Sequence, residues 1–437
     1  MSARTEPGLA QHRCAGAVQA CLAAIGAQPQ DAALALTQLR AEAALAEARA
    51  LDAAPGPALP LAGEAWGAKA CFDVAGWTTH AGSRVLASQA PATADAPLVQ
   101  RLRAAGAVLL AQNNMTEFAY GALGLNPWYG TPLTPALRDA PRVAGGSSSG
   151  GAVAVALGLQ TFALGSDTSG SARIPAAFCG VVGFKPSHGR YDDRGLARLS
   201  ISFDVPGLIT ASVAQCRRLD RVLASAPGNA GQATAGDAPV LLVPAHLDSA
   251  LDAELRPWFD SMLARLQARG FALRRQELPS WLAAPRAARE GGIISAEAHA
   301  LHHARLPQRL AEYDPLVGPR ILQGGEVRAS DYLLAQAELA RQRQAFEQEL
   351  GRAWAVLCPT VPMKPPTVAE LAAPERYLQT NARAFSLTEP ASRLDLPSIT
   401  LPGSADAPWL GLMLSGRSGH DAALLQLAAR LEQALAL

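Results

Sequence analysis

Residues 144–186 constrain this chain more than any other stretch. They read Ala144-Gly145-Gly146-Ser147-Ser148-Ser149-Gly150-Gly151, then an apolar helix and strand, then Gly165-Ser166-Asp167-Thr168-Ser169-Gly170-Ser171-Ala172-Arg173-Ile174-Pro175. Two backbone-dominated turns are thus tied together by one short α/β unit. Each turn presents a serine, Ser147 and Ser171, and their separation of 24 positions suffices for one helix out and one strand back. Glycine lacks Cβ and tolerates positive φ, so such turns suit a place where backbone N–H groups must approach a substrate. The stretch therefore predicts the floor of an active site at one edge of a sheet.

The rest of the chain supplies a scaffold for that floor. Residues 31–54 are rich in alanine and leucine, which predicts a helix ended by Pro55-Gly56-Pro57. Helices are expected near 96–105, 211–225, 251–269, 331–352 and 421–436, and strands near 108–110, 161–164, 240–243, 271–277, 355–358, 397–401 and 410–414. Leu255, Phe259, Met262 and Leu266 recur at spacings of three and four, one apolar helix face. Alternation of strands and helices predicts an α/β layered fold with a parallel or mixed sheet. Residues 226–238, rich in Gly, Ala and Asn, are expected to be exposed.

Composition excludes several function classes. The 437 residues carry a formal net charge of +1, which leaves no electrostatic footprint for nucleic acid or an acidic membrane. No apolar run is long enough to span a bilayer, and Met1 to Gly26 has no apolar core of a secretory signal. Cys14, Cys21, Cys71, Cys179, Cys216 and Cys358 are scattered without a C-x-x-C pair, as expected of reduced buried thiols. These features predict a cytoplasmic protein.

Hydrolysis of an amide needs a nucleophile, a base and donors for the developing oxyanion. Thr168-Ser169-Gly170-Ser171 can supply a nucleophile and a row of N–H groups together. Lys69 stands alone among small or apolar neighbours, Gly67, Ala68, Ala70, Cys71 and Phe72. It reads either as a buried amine or as a lysine snorkelling from a strand edge. A buried amine has a depressed pKa and can act as a base, with Ser147 relaying the proton. Aromatics at Phe118, Tyr120, Trp128 and Tyr129 suit either a pocket wall or ordinary core.

These residues resemble the amidase signature family of serine hydrolases. The resemblance rests on Gly145 to Gly150, on Leu164 to Ala176, and on Phe178 to Pro186. It extends to Gly67-Ala68-Lys69, Phe72 to Gly76, Ala81-Gly82-Ser83, Asn114 to Phe118, Asn126 to Pro132, Leu396 to Pro402 and Gly416-Arg417. It is dense over about 60–215 and looser elsewhere. It implies a three-layer α/β/α fold with a large mixed central sheet in one domain over 1–437. That domain would hold an N-terminal helical segment to about 55, a signature core over about 60–215, and a lid with the remaining sheet beyond.

The resemblance also implies a Ser–cis-Ser–Lys triad. Ser171 stands at the nucleophile, Ser147 at the bridging serine after a cis bond from Gly146, and Lys69 at the base. The N–H groups of Thr168, Ser169, Gly170 and Ser171 stand at the oxyanion hole, and the Ala119 carbonyl faces substrate. Asp167 and Arg173 are expected to pair beneath the turn. No cofactor or metal is implied. The partner is a small amide, and a homodimer is allowed. Three positions depart from the family pattern. Ala70 replaces an aspartate, Ala172 a larger aliphatic, and Ser169 a glycine, which would cost roughly 1–2 kcal/mol if φ there were positive.

The expected activity is cleavage of a carboxamide C–N bond through a serine acyl-enzyme. The alternatives are the glutamine-hydrolysing component of a tRNA-dependent amidotransferase and a ureido or biuret-type amide hydrolase. Pocket walls are expected from 118–129, 187–204 and 285–330, whose apolar bias favours an uncharged or aryl amide. A rival signal is His299, His302 and His303 with Glu297, a spacing able to bind zinc, but no third ligand or His-Glu-x-x-His pattern accompanies it. They read as a solvated or lid-packing helix, and Cys179 reads as core.

Overall fold

The computed structural model describes residues 13–54, 57, 59–225 and 240–436. The segment before residue 13, the Pro55-Gly56 turn and the 226–238 stretch lie outside the described residues. Eleven strands make one mixed sheet: β1 (Leu36–Leu39), β2 (Ala65–Lys69), β3 (Val108–Asn113), β4 (Phe162–Asp167), β5 (Val182–Lys185), β6 (Val205–Thr210), β7 (Val240–Pro244), β8 (Ala272–Gln276), β9 (Ala355–Pro359), β10 (Ser398–Leu401) and β11 (Leu412–Gly416). Their order is β1-β3-β2-β4-β6-β5-β10-β11-β9-β7-β8. β2 runs parallel to both β3 and β4, and β7 to both β8 and β9, while the other pairings are antiparallel.

Strands β2 to β6 and β9 to β11 are buried along their whole length, because helices cover both faces. Side chains alternate between the two layers. Phe162, Leu164 and Leu208 enter the large core on one side. Ala163 and Ile209 meet the helix Ser149–Ala156 on the other. The edge strands differ: β8 carries Arg274 and Arg275 and is mostly exposed, a charged edge that discourages further strand addition.

The structure departs from the sequence expectation notably at β1 and β6. The helix expected over 31–54 is broken: Pro29–Ala35 and Ala41–Ala53 are helical, and Leu36–Leu39 between them pairs with β3. Tertiary pairing overrides helix propensity there. Strand β6 occupies residues that periodicity leaves unassigned, since Pro206 and Gly207 interrupt its apolar run. Pro206 nevertheless sits inside the sheet, opposite Ser166.

Candidate active site

Lys69 is the last residue of β2, and Ser171 follows the end of its parallel neighbour β4. Ser147 lies in the turn that enters the helix Ser149–Ala156. The site thus forms beyond the carboxyl ends of parallel strands, where an α/β sheet leaves a crevice. Lys69 is 1 % exposed, so it is a buried amine and not a snorkelling one. Its Nζ lies 2.7 Å from Ser147 Oγ and 2.8 Å from Ser166 Oγ. Burial lowers its pKa, opposed by Cys71, Asp204 and Asp167 at longer range. Position 70 offers no carboxylate, and the groups that touch the amine are hydroxyls.

The Gly146–Ser147 peptide bond is cis. A Cβ on Gly146 would meet Gly124 N and Thr116 Oγ1, each at 2.7 Å, so only glycine fits. Ser147 in turn accepts Thr116 N–H through its carbonyl, and Ser148 N–H donates to the Ser171 carbonyl. The two Gly/Ser turns are therefore stitched together by backbone. Ser171 Oγ is buried and has no hydrogen-bond partner.

Beneath the second turn, Asp167 and Arg173 are fully buried and paired at 2.9 Å. Burial pushes the Asp167 carboxyl up, but Arg173 outweighs it and holds the group below its ordinary range. Asp167 also accepts the N–H groups of Ala172 and Arg173. Ser169 departs from expectation: its φ is not positive, so the serine carries no left-handed strain. Gly170 carries the unusual conformation, φ +144°, and a Cβ there would meet Thr388 Oγ1 at 2.3 Å. Among the described residues, nothing accepts the N–H groups of Ser169, Gly170 and Ser171.

Thr168, Ser169 and Ser171 line a cavity of about 550 Å³, together with Ala119, Tyr120 and Gly121. Phe118 and Ala119 have positive φ, 48° and 59°, which turns this segment toward the cavity. Of the four aromatics, Tyr120 lines the cavity, while Phe118 packs on His302 and Tyr313. Trp128 donates to the buried Glu117, and Tyr129 stacks on His80.

The three histidines do not converge. His302 is buried beside Tyr313 Oη, with burial lowering its pKa to about 4. His303 faces the Ala300 carbonyl, and His299 abuts Gly325. Glu297 instead accepts hydrogen bonds from Ser200, Ser202 and Tyr332. All six cysteines are buried thiols, Cys179 among them.

The cavity is walled from the three expected stretches, 118–129, 187–204 and 285–330, the last of which brings Arg289 and Arg320. Sequence reasoning does not single out Asp204 beside the turn, and it misses Glu389 and Arg393 on the wall. Asp204 accepts Thr168 Oγ1 at 2.5 Å. Arg289, Arg320, Glu389 and Arg393 all line the wall. Glu389 pairs with Arg289 and with the buried Arg393. Arg320 donates to the Leu316 and Tyr120 carbonyls and stacks 4.1 Å over the Tyr120 ring. No carboxylate among the described residues forms an ion pair with Arg320. These side chains come from distant segments with no local motif.

The fold and site define an α/β protein with a lysine-serine cluster at the head of parallel strands. The model of the family described as Amidase matches residues 16–425. A 1-carboxybiuret hydrolase subunit of Pseudomonas sp. (strain ADP) is 33 % identical over 410 residues, 88 % of this chain and 87 % of that protein. A glutamyl-tRNA(Gln) amidotransferase component from Moorella thermoacetica is also 33 % identical, over 434 residues, 90 % of this chain and 88 % of the other. A crystal structure of an amidase superposes with a TM-score of 0.85 at 35 % identity, covering 96 % of both chains. The chain belongs to the Amidase family.

Proposed function

We propose that the chain hydrolyses a small, acid-bearing carboxamide through a serine acyl-enzyme, with Lys69, Ser147 and Ser171 as the catalytic residues. The observation that carries this reading is the buried Lys69 Nζ at 2.7 Å from Ser147 Oγ, beside an unpartnered Ser171 Oγ on the cavity wall. The neutral amine of Lys69 takes the Ser147 proton while Ser147 takes that of Ser171. Ser171 Oγ then bonds to the amide carbon. The oxyanion is met by N–H groups of the turn from Thr168 to Ser171, and the Ala119 carbonyl orients the substrate. The C–N bond breaks as the proton returns through Ser147 to the leaving nitrogen. Water then hydrolyses the ester by the same relay. The chemistry uses no cofactor.

The substrate class follows from charge. Sequence bias favours an uncharged amide, but the cavity wall holds three arginines and one carboxylate. Glu389 is engaged by two of them, which leaves Arg320 to receive a substrate carboxylate. The name of the carboxybiuret-hydrolysing relative is consistent with such an acid.

A second reading, release of ammonia from glutamine for a partner protein, draws on the amidotransferase relative. It is disfavoured because the wall has, among the described residues, no carboxylate beyond the ion-paired Glu389 for an α-ammonium group. The chain is read as a single domain working in the cytoplasm. No helix of the described residues is long and apolar enough to cross a membrane.

The test is twofold. A fluorophosphonate should add its mass to Ser171, and a panel of acid-bearing, neutral and ureido amides should release ammonia without any partner. Ammonia release undiminished in Ser171→Ala would overturn the assignment.

A further inference from the structure

The turn before Ser171 is held by residues more than 200 positions later in the chain. Arg393 is 1 % exposed. Its Nη1 donates to the Thr168 carbonyl at 3.0 Å, and its Nη2 donates to Ser169 Oγ at 2.7 Å and to Glu389 at 2.9 Å. Thr388 Oγ1 donates to the Ser169 carbonyl at 2.6 Å. The guanidinium lies 4.2 Å over the Phe203 ring, and Arg343 donates to its backbone carbonyl. Both consecutive carbonyls of the turn are therefore fixed, one by a cation and one by a hydroxyl.

A trans peptide points its C=O and the following N–H in opposite directions. Holding the Thr168 carbonyl on Arg393 turns the Ser169 N–H away from Arg393. Holding the Ser169 carbonyl on Thr388 does the same for the Gly170 N–H. These are the N–H groups that find no acceptor among the described residues. A cation on the carbonyl also polarises the peptide and makes its N–H a stronger donor. Ser169, where the family pattern has glycine, adds a side-chain grip for the same guanidinium.

We infer that Arg393 is a positioning residue for the oxyanion hole, acting through Thr168 and Ser169, with Thr388 as its companion anchor and Ser169 Oγ as its handle. It does not touch the reacting atoms. Its own setting is fixed by Glu389, which Arg289 holds from the cavity rim. The inference rests on Ser171 being the nucleophile.

The experiment measures fluorophosphonate labelling of the full chain by intact mass, separating the binding constant of the reagent from the maximal labelling rate. The phosphonyl oxygen requires the same N–H groups as an oxyanion. Arg393→Gln should lower the maximal rate about tenfold or more, with the binding constant unchanged, against the about 10²–10³-fold typical of deleting an oxyanion donor outright. Arg393→Lys should recover part of that rate. Thr388→Val and Ser169→Gly should each slow it about threefold, by partial loss of the same preorganisation.

A folded Arg393→Gln labelled within about twofold of the wild-type rate overturns the inference, and so does a change in reagent binding alone. If Arg393→Gln does not fold, an unchanged rate in Thr388→Val overturns it. Failure of the underlying assignment looks different: the wild-type chain would take no label on Ser171.

Discussion

Lys69 and Ser166 meet across the parallel neighbours β2 and β4, Nζ to Oγ at 2.8 Å, while the same nitrogen lies 2.7 Å from Ser147. A neutral amine has two N–H donors and one lone pair. With Ser166 taking an N–H, the lone pair is left for the hydroxyl proton of Ser147. On the proposed mechanism, Ser166 orients the base for proton transfer.

Ser166→Ala should therefore lower kcat about tenfold, with KM little changed, a part of the about 10²–10⁴-fold that general-base catalysis supplies. In the wild type, burial depresses the Lys69 pKa, and only the neutral amine is a base. Activity should rise with pH through that depressed value and then level off. Lys69→Met should abolish the limb along with the activity. A pH–rate profile of kcat/KM with no such ascending limb would contradict the assignment of the base.

Arg320 stacks on Tyr120 at the cavity wall and forms no direct ion pair with a carboxylate among the described residues, Asp314 acting on it only at longer range. Arg320→Gln should raise KM for acid-bearing amides about tenfold or more, the worth of one charge-assisted contact. Neutral amides of similar size should be nearly unaffected. Equal losses on both classes would show that Arg320 only supports the wall.

Gly146 is packed against the Gly124 backbone with no space for a methyl group. Gly146→Ala should cost about 1–3 kcal/mol by overpacking and displace Ser147. Urea unfolding should show the first effect, and loss of Ser171 labelling the second.

His80 gives a stability prediction on the acid side. Its Nδ1 accepts the Gly82 N–H, and its Nε2 faces Gln112 Oε1 at 2.9 Å. Burial lowers its pKa from 6.5 to about 4. The folded pKa is below the unfolded one, so the stabilisation is complete above the unfolded value and is lost as pH falls toward the folded value. Wild-type stability should drop by about 2 kcal/mol more than that of His80→Gln between about pH 7 and pH 5. Parallel unfolding curves for the two proteins at both pH values would show that His80 is not the group responsible.

The two serine-bearing turns of the site are legible in the sequence because backbone-led turns leave a dense Gly/Ser record at Gly145 to Gly150 and Gly165 to Ser171. Lys69 is only half legible. Its small neighbours suit a buried amine or a strand edge, and the choice depends on β3 and β4 flanking β2. Ser169 looks like a strained replacement of glycine because its neighbours are local. Its true partner, Arg393, is 224 residues away and leaves no trace near the turn. Glu389 is silent for the same reason, whereas Arg320 lies in the 285–330 stretch expected to wall the pocket. Strands β1 and β6 are hidden by local composition, an alanine-rich stretch in one and Pro206-Gly207 in the other.

The grip of Thr388 and Arg393 on the turn has a consequence for the order in which the protein becomes competent. Lys69, Ser147 and Ser171 all lie in the first half of the chain, so they leave the ribosome long before the residues that hold their turn. A nascent chain holding these three residues alone lacks the anchors for the Thr168 and Ser169 carbonyls, and contacts this distant in sequence form late. On the proposed mechanism, hydrolytic power would then arrive only with the closing of the sheet.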